Sequence, residues 1–256
     1  MATLTTVYQT ELIKSKNTFA LWLVALGAAF VPSLMFLIYM NKWENFLPKP
    51  GENPWNQFFI ANWQVVSFIF IPFFIVLLSA LVIGIEHKSN SWKHLFTLPV
   101  SKLSVYTSKL SVILSLVLFC YLLFVLLLFM SGTLLGILRP KLAFLSHTPD
   151  VAALLKFAGK SFVATLGMVA IHFWLSIRLR NLIQSVGIGL VCIVTATILF
   201  QRWENAVYFP YTYTMYTLAG GKESLNSLSK HETYSLAYFV VVIGLGYVDF
   251  SRFYRG

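Results

Sequence analysis

Residues 110–138 read LSVILSLVLFCYLLFVLLLFMSGTLLGIL, a run without a single charged side chain. A helix rises about 1.5 Å per residue, so this run exceeds the roughly 20 residues that cross the hydrocarbon core of a bilayer. An open strand would leave backbone groups unpaired in lipid, whereas a helix pairs them internally. The run therefore predicts a transmembrane helix that tilts or continues beyond the membrane.

Five further apolar runs have nearly the same character. Together the six runs predict spans at approximately residues 19–40, 63–85, 110–134, 155–177, 181–201 and 233–250. Pro32 and Pro72 fall inside two of them and are tolerated there as kinks. The short stretch 178–180, Arg-Leu-Arg, predicts a tight turn between the fourth and fifth spans. No repeat or flexible linker divides the chain, so we expect an all-α, polytopic integral membrane protein with residues 1–256 in one transmembrane domain.

The composition agrees with lipid as the solvent. Hydrophobic residues make up 58% of the chain and charged residues 11%, against about 25% charged in a typical soluble domain. The formal net charge of +10 comes from 19 Lys and Arg against 9 Asp and Glu. These cations lie in short tracts between apolar runs, which favours contact with anionic headgroups over nucleic acid. Cys120 and Cys192 both fall inside apolar runs, which disfavours a disulfide framework and a paired metal site.

The N-terminal residues show a helical periodicity of their own. Leu4, Val7, Tyr8 and Leu12 stand at i, i+3, i+4 and i+8. This spacing predicts an amphipathic helix along the membrane surface, with Glu11 and Lys14 facing elsewhere. The alternative is a polar N-terminus that frays.

The connection between the second and third spans reads EHKSNSWKHLFTLPVSKLSVYTSK, from Glu86 to Lys109. Trp92, Leu95 and Phe96 stand at i, i+3 and i+4, so a short helix here has one apolar face. We expect this helix to end at Leu98, because Pro99 disfavours helical geometry in the residue before it. Periodicity alone leaves open whether this helix rests among lipid headgroups or docks on a partner.

The same connection resembles the cytoplasmic loop of type-2 ATP-binding-cassette (ABC) exporter permeases. The resemblance is carried by Glu86, Asn90-Ser91-Trp92, Leu95, Leu98-Pro99-Val100-Ser101 and Lys109. In that family the loop forms a coupling helix that docks on a separate ATPase subunit. The resemblance implies that the residues coupling this chain to an ATPase are Glu86, Trp92, Lys93, Leu95, Phe96, Leu98 and Pro99.

The resemblance also implies a setting. Both termini and the loop would be cytoplasmic in a bacterial plasma membrane, although the cations on the two sides of the predicted spans are nearly equal in number. ATP and Mg would bind the partner ATPase, with no cofactor on this chain, and two permease copies, identical or paralogous, would form the pathway. Cargo in the family ranges over antimicrobial peptides, lipids, polysaccharides and drugs. The size of the chain is similar to permeases that remove lantibiotic-like or bacitracin-like peptides.

Residues 202–232, between the last two spans, are rich in aromatic side chains. Such residues concentrate at bilayer interfaces, so an aromatic belt or a re-entrant hairpin is expected. The stretch also resembles the outer-leaflet segment before the last span in these permeases, which implies a substrate-release role. The candidates for that role are Tyr208, Phe209, Pro210, Tyr211 and Tyr213.

Other chemistry has weaker support in the sequence. Gly159-Lys160-Ser161 imitates the end of a Walker A motif, but Leu154 occupies the position of the required earlier glycine, so we expect no ATP binding. His172 lies within a span without ligand partners at metal spacing, which favours packing over catalysis. We predict no catalytic, cofactor-binding or metal residues. The rival hypotheses are an intramembrane enzyme using His172, Glu86 or Asp249, and a passive membrane scaffold.

Overall fold

The computed structural model describes residues 4–16, 18–88, 100–179, 181–220 and 227–253. Regular structure in these ranges is helical, without a strand. Six helical stretches are long and apolar enough to cross a membrane. The prediction of an all-α polytopic membrane protein with about six spans is therefore confirmed.

The helices follow one another with short connections. Their bounds are α1 Leu4–Lys16, α2 Phe19–Asn41, α3 Pro54–Val65, α4 Ile71–Lys88, α5 Lys102–Leu138, α6 Val151–Arg178, α7 Leu182–Arg202, α8 Tyr213–Ala219 and α9 Lys230–Phe253. A π-helical turn, Val66–Phe70, joins α3 and α4 into one continuous span. Short 3-10 turns fill much of the chain between the other helices.

Local capping explains why two spans are longer than their apolar runs. The second begins at Pro54, nine residues before the predicted Trp63, because Asn53 accepts a hydrogen bond from the Trp55 amide and proline suits the first helical position. The third begins at Lys102, where the Ser101 side chain accepts a hydrogen bond from the Ser104 amide. Polar first turns therefore extend these helices past their uncharged cores.

Different helix ends and connections lie at the two ends of the bundle. At one end, here called the proximal end, lie α1, the close of α4, the start of α5 and the turn between α6 and α7. The other, distal end holds the connections from α2 to α3, from α5 to α6 and from α7 to α9. An even number of crossings places α1 and the close of α9 at the same, proximal end.

Aromatic side chains fill the bundle where α3, α5 and α6 meet. Trp63 is fully buried, with its ring centroid 5.8 Å from Tyr121, 5.1 Å from Phe124 and 4.9 Å from Phe157. Nearer the distal end, the backbone of Gly132 lies so close to Trp55 that an added Cβ would stand 2.4 Å from the indole ring. These contacts fix the second span against the third and fourth.

The π turn between α3 and α4 has an identifiable cause. Pro72 has no amide hydrogen, and its ring would clash with the carbonyl four residues earlier in an unbroken α-helix. The Ile71 amide instead donates to the Val66 carbonyl, five residues back. The Ser67 carbonyl is thereby freed, and it accepts a hydrogen bond of 2.7 Å from the Thr214 hydroxyl on α8.

The aromatic segment before the last span folds back into the bundle. Residues 210–215 are buried, whereas Tyr208 is 56% exposed. The Thr212 hydroxyl donates to the Ala206 carbonyl at 2.7 Å, which closes the hairpin on itself. We call residues 210–219 the re-entrant segment because they fold back against the bundle. The position of this segment relative to a bilayer interface stays a prediction.

Candidate functional site

Only one of the predicted coupling residues lies in the part of the chain that the structure describes. Glu86 lies in the last turn of α4 and is 1% exposed. The other predicted coupling residues, Trp92, Lys93, Leu95, Phe96, Leu98 and Pro99, lie outside the described residues. Among the predicted coupling residues, the contacts of Glu86 are the ones that the described structure defines.

Four charged side chains meet at the proximal end of the bundle, and we call them the proximal ring. They are Glu11 and Lys14 of α1, Glu86 of α4 and Lys109 of α5. Glu11 Oε1 lies 2.9 Å from Lys14 Nζ and Glu11 Oε2 lies 2.6 Å from Lys109 Nζ. Glu86 Oε1 lies 3.1 Å from Lys14 Nζ, and Glu86 Oε2 lies 2.9 Å from Lys109 Nζ without meeting hydrogen-bond geometry. Each carboxylate thus bridges both ammonium groups.

Three of the four side chains in the ring are deeply buried, and the ring carries equal numbers of positive and negative charges. The exposed side-chain fraction is 1% for Lys109 and Glu86, 4% for Glu11 and 33% for Lys14. Removing an ion from water costs several kcal/mol even after the surroundings relax. Two negative and two positive groups in alternation offset that cost, whereas loss of one member leaves an uncompensated buried charge. The four groups therefore act as one unit.

The pKa values of Glu11 and Lys14, the two ring residues on α1, are shifted by the opposite charges of their partners. Burial by itself would raise the pKa of the Glu11 carboxyl, but the charges and hydrogen bonds of Lys109 and Lys14 hold it below the ordinary value. Burial opposes the charge on Lys14, yet its contacts with Glu11 and Glu86 raise the pKa of its ammonium group. The stabilisation from Glu11 is present above its unfolded-state pKa and is lost as pH falls through the folded-state pKa. The stabilisation from Lys14 is present below its unfolded-state pKa and is lost as pH rises through the folded-state pKa.

The orientation predicted for α1 is wrong on one point. Glu11 is not turned away from the apolar face but shares the buried side of α1 with Val7 and Ser15, four residues before and after it. Tyr8 also contacts the bundle, with its hydroxyl 2.9 Å from Ser115 Oγ of α5. Because Lys109 and Lys14 supply counter-charges, a carboxylate can occupy the packed face of this helix. The position of α1 relative to a membrane surface stays a prediction.

Sequence reasoning treated Lys109 only as the end of a motif, although its ammonium contacts both carboxylates of the ring. The available signal was the position of the charges at the ends of apolar runs. Glu86 follows Ile85 directly, and Lys109 precedes Leu110. Opposite charges at the end of one span and the start of the next indicate a pair across an antiparallel connection, which sequence reasoning could have recognised.

The candidate substrate-release residues differ in how deeply they are buried. Pro210, Tyr211 and Tyr213 are buried, Phe209 is partly buried and Tyr208 is exposed. The Tyr211 hydroxyl lies 2.6 Å from His172 Nε2 of α6, and the two rings meet edge to face at 5.6 Å. His172 therefore anchors the re-entrant segment to the fourth span, a contact that no sequence pattern indicated.

The groups considered for catalysis have separate partners. His172 contacts Tyr211, and Glu86 belongs to the proximal ring. Asp249 accepts a hydrogen bond of 3.1 Å from Trp174 Nε1 and lies 3.7 Å from Arg178. Within the part of the chain that the structure describes, no three His, Cys, Asp or Glu side chains are grouped to hold a metal ion.

The lookalike of a nucleotide-binding loop lies inside a helix. Residues 159–161 belong to α6, between Val151 and Arg178, and no loop opens there. Lys160 Nζ donates to Glu232 Oε2 at 2.7 Å and to the Ser227 carbonyl at 2.6 Å. The Lys160 ammonium is thus engaged in holding α6 to the start of α9, at the distal end.

One family of known proteins matches most of the chain. The model of the ABC-2 family transporter proteins matches residues 7–196. The match contains all four members of the proximal ring and ends before the re-entrant segment. No curated protein and no solved structure matches the chain.

Proposed function

The chain belongs to the ABC-2 transporter family, and from this premise we propose that it is the permease subunit of an ATP-driven exporter. A separate ATPase subunit binds ATP and Mg, and this chain supplies the pathway together with a second permease copy or paralogue. The complex resides in the plasma membrane, with the proximal end and both termini on the cytoplasmic side. The cargo is apolar or amphipathic, in the class of antimicrobial peptides and lipids.

The proximal ring is the observation that carries this proposal. It connects α4 and α5, the two helices that flank residues 89–101, and it ties both to α1. In the proposed complex, the ATPase docks on residues 89–101 through Trp92, Leu95 and Phe96. Glu86 and Lys109 then form the base of this coupling loop, and α1 braces the base from the side.

The ring also suggests how force passes into the membrane. A flexible connection would absorb a push from the ATPase, but helices held by three ionic contacts, two of them fully buried, would move together. The Glu86 contact prevents α4 from sliding past α5 without separating charges in a poorly solvated place. In this proposal, docking of the ATPase therefore displaces the second and third spans together.

The test is retention of an ATPase by the loop. The tagged full-length chain is purified from its native membranes, and co-purifying nucleotide-binding subunits are identified by mass spectrometry. Trp92→Ala and Leu95→Asp should weaken retention about thirtyfold, since a buried interface anchor commonly contributes about 2 kcal/mol. Lys49→Ala, in the distal connection between α2 and α3, is the matched control and should retain the subunit.

Cargo-stimulated ATP hydrolysis by the same preparations separates docking from coupling. Loss of stimulation in Trp92→Ala and Leu95→Asp, with normal membrane insertion, supports the permease assignment. Unchanged retention and unchanged stimulation in both variants would contradict it and favour a loop helix that rests only on lipid.

A further inference from the structure

A cavity of about 390 Å³ opens at the proximal end between α4, α6 and α7. Gly84, His87 and Lys88 contribute its α4 wall, and Asn181, Ile183 and Ser185 contribute its α7 wall. An added Cβ on Gly84 would meet only Leu182 Cδ1, at 3.9 Å, so the glycine leaves room inside the cavity. This cavity is separate from the proximal ring, which occupies the side of the bundle formed by α1 and α5.

The electrostatics of the cavity favour an anion. Lys88 brings a positive charge, and the N-terminus of α7 adds the partial positive charge of a helix of 21 residues. His87 donates toward the Ser176 carbonyl at 3.0 Å, which fixes its ring on the wall. No carboxylate belongs to the lining among the described residues. The nearby Glu86 is engaged in the proximal ring, and Asp249 is engaged by Trp174 and Arg178.

The other half of the cavity is apolar and continues onto a bare helix face. Ile183 lines the cavity and is 74% exposed. Further along α7, Val191, Val194 and Ile198 are 67%, 59% and 58% exposed. Gly187 stands on the same helix with open space around the position of a Cβ. An exposed apolar face thus continues from the cavity along the spanning helix.

We propose that this cavity binds an anionic phospholipid, with the phosphate between Lys88 and the N-terminus of α7. One acyl chain lies along the exposed face of α7 that begins at Ile183. A free phosphate would use the charged wall but leave the apolar wall and the path along α7 without a partner. A basic pocket between helices at the boundary of the spans is the chemistry that retains lipid headgroups. The inference is independent of the proposed transport function.

The test uses native mass spectrometry of the full-length chain in detergent. The chain is titrated with phosphatidylglycerol, with phosphatidylcholine of the same acyl chains, and with inorganic phosphate. Phosphatidylglycerol should bind about fivefold more tightly than phosphatidylcholine, the ratio expected from one cation near the headgroup. Inorganic phosphate should neither bind at the same concentration nor displace the lipid.

Two variants and one control locate the site. Lys88→Gln should remove the preference for phosphatidylglycerol, and Gly84→Leu should abolish the tight binding event by filling the cavity. Lys49→Gln, which removes an exposed cation at the distal end, should bind lipid like the unaltered chain. Equal affinity for the two lipids, displacement of phosphatidylglycerol by inorganic phosphate, or unchanged binding in both variants would overturn the proposal.

Discussion

Buried ionic contacts stand at both ends of the bundle, but they connect different kinds of element. The proximal ring joins three helices through three contacts between helices, with a fourth contact inside α1. The distal cluster, Lys160 with Glu232 and His231, is tied to backbone groups as well. Glu232 Oε2 accepts from the Ser229 amide at 2.7 Å, and Lys160 donates to the Ser227 carbonyl.

This difference indicates different tasks. The distal cluster caps the start of α9 and fastens it to α6, so it fixes where the last span begins. The proximal ring holds the base of a connection that is longer than any tight turn and is proposed to receive a partner. The same chemistry therefore serves anchorage at one end and, in our proposal, transmission of force at the other.

The largest expected effect is that of Lys109→Met. This change leaves Glu11 and Glu86 buried with only the partly exposed Lys14 between them, so the free energy of unfolding should fall by about 3 to 5 kcal/mol. Denaturant unfolding in detergent measures it. Adding Glu86→Gln to Lys109→Met restores the charge balance and should recover much of the loss. A cost below about 1 kcal/mol for Lys109→Met would show that the ring is not a unit.

A smaller loss of stability is expected at the distal end, without a loss of coupling to the ATPase. Lys160→Met removes the counter-charge of Glu232 and should lower the free energy of unfolding by about 2 kcal/mol. Because the distal cluster is an anchor, cargo-stimulated ATP hydrolysis per folded complex should stay at the unaltered level. Nucleotide affinity of the complex should also be unchanged. Loss of ATP binding in Lys160→Met would instead revive the nucleotide-loop interpretation of residues 159–161.

The smallest effect is expected for Lys14→Gln. Lys14 is 33% exposed, so water compensates for part of its loss and the free energy of unfolding should fall by about 1 kcal/mol or less. Because the pKa of Lys14 is raised by its partners, this difference should be constant at neutral pH and vanish as pH rises through that folded-state pKa. Unfolding curves of both chains across alkaline pH measure the convergence. A difference that persists at high pH would contradict an ionic origin.

The spans were predictable because lipid imposes a simple rule on composition. A run such as residues 110–138 has one stable form in a bilayer, so the number of spans follows from the sequence alone. The helix start at Pro54 was missed because the apolar run does not begin until Trp63. The cap at Asn53 and the proline carry that boundary, and they leave little trace in hydropathy.

The proximal ring and the His172–Tyr211 contact were not predictable to the same degree. Glu11 and Lys109 are 98 positions apart, and His172 and Tyr211 are 39 apart. Helical periodicity reports which face a residue shares with its neighbours in sequence, but not which distant helix covers that face. For α1 the apolar residues predicted one face correctly in part, since Val7 is buried and Tyr8 contacts α5, but the counter-charges on other helices extend the buried side to Glu11.

The π turn at Val66–Phe70 divides the second span into two arms of unequal length. The arm toward the distal end, α3, has 12 residues, and the arm toward the proximal end, α4, has 18. At the rise of an α-helix these arms measure about 18 Å and about 27 Å. Glu86 lies near the proximal end of the longer arm. Because the carbonyl that accepts from Thr214 is the one freed by the π turn, the re-entrant segment is attached where the two arms join.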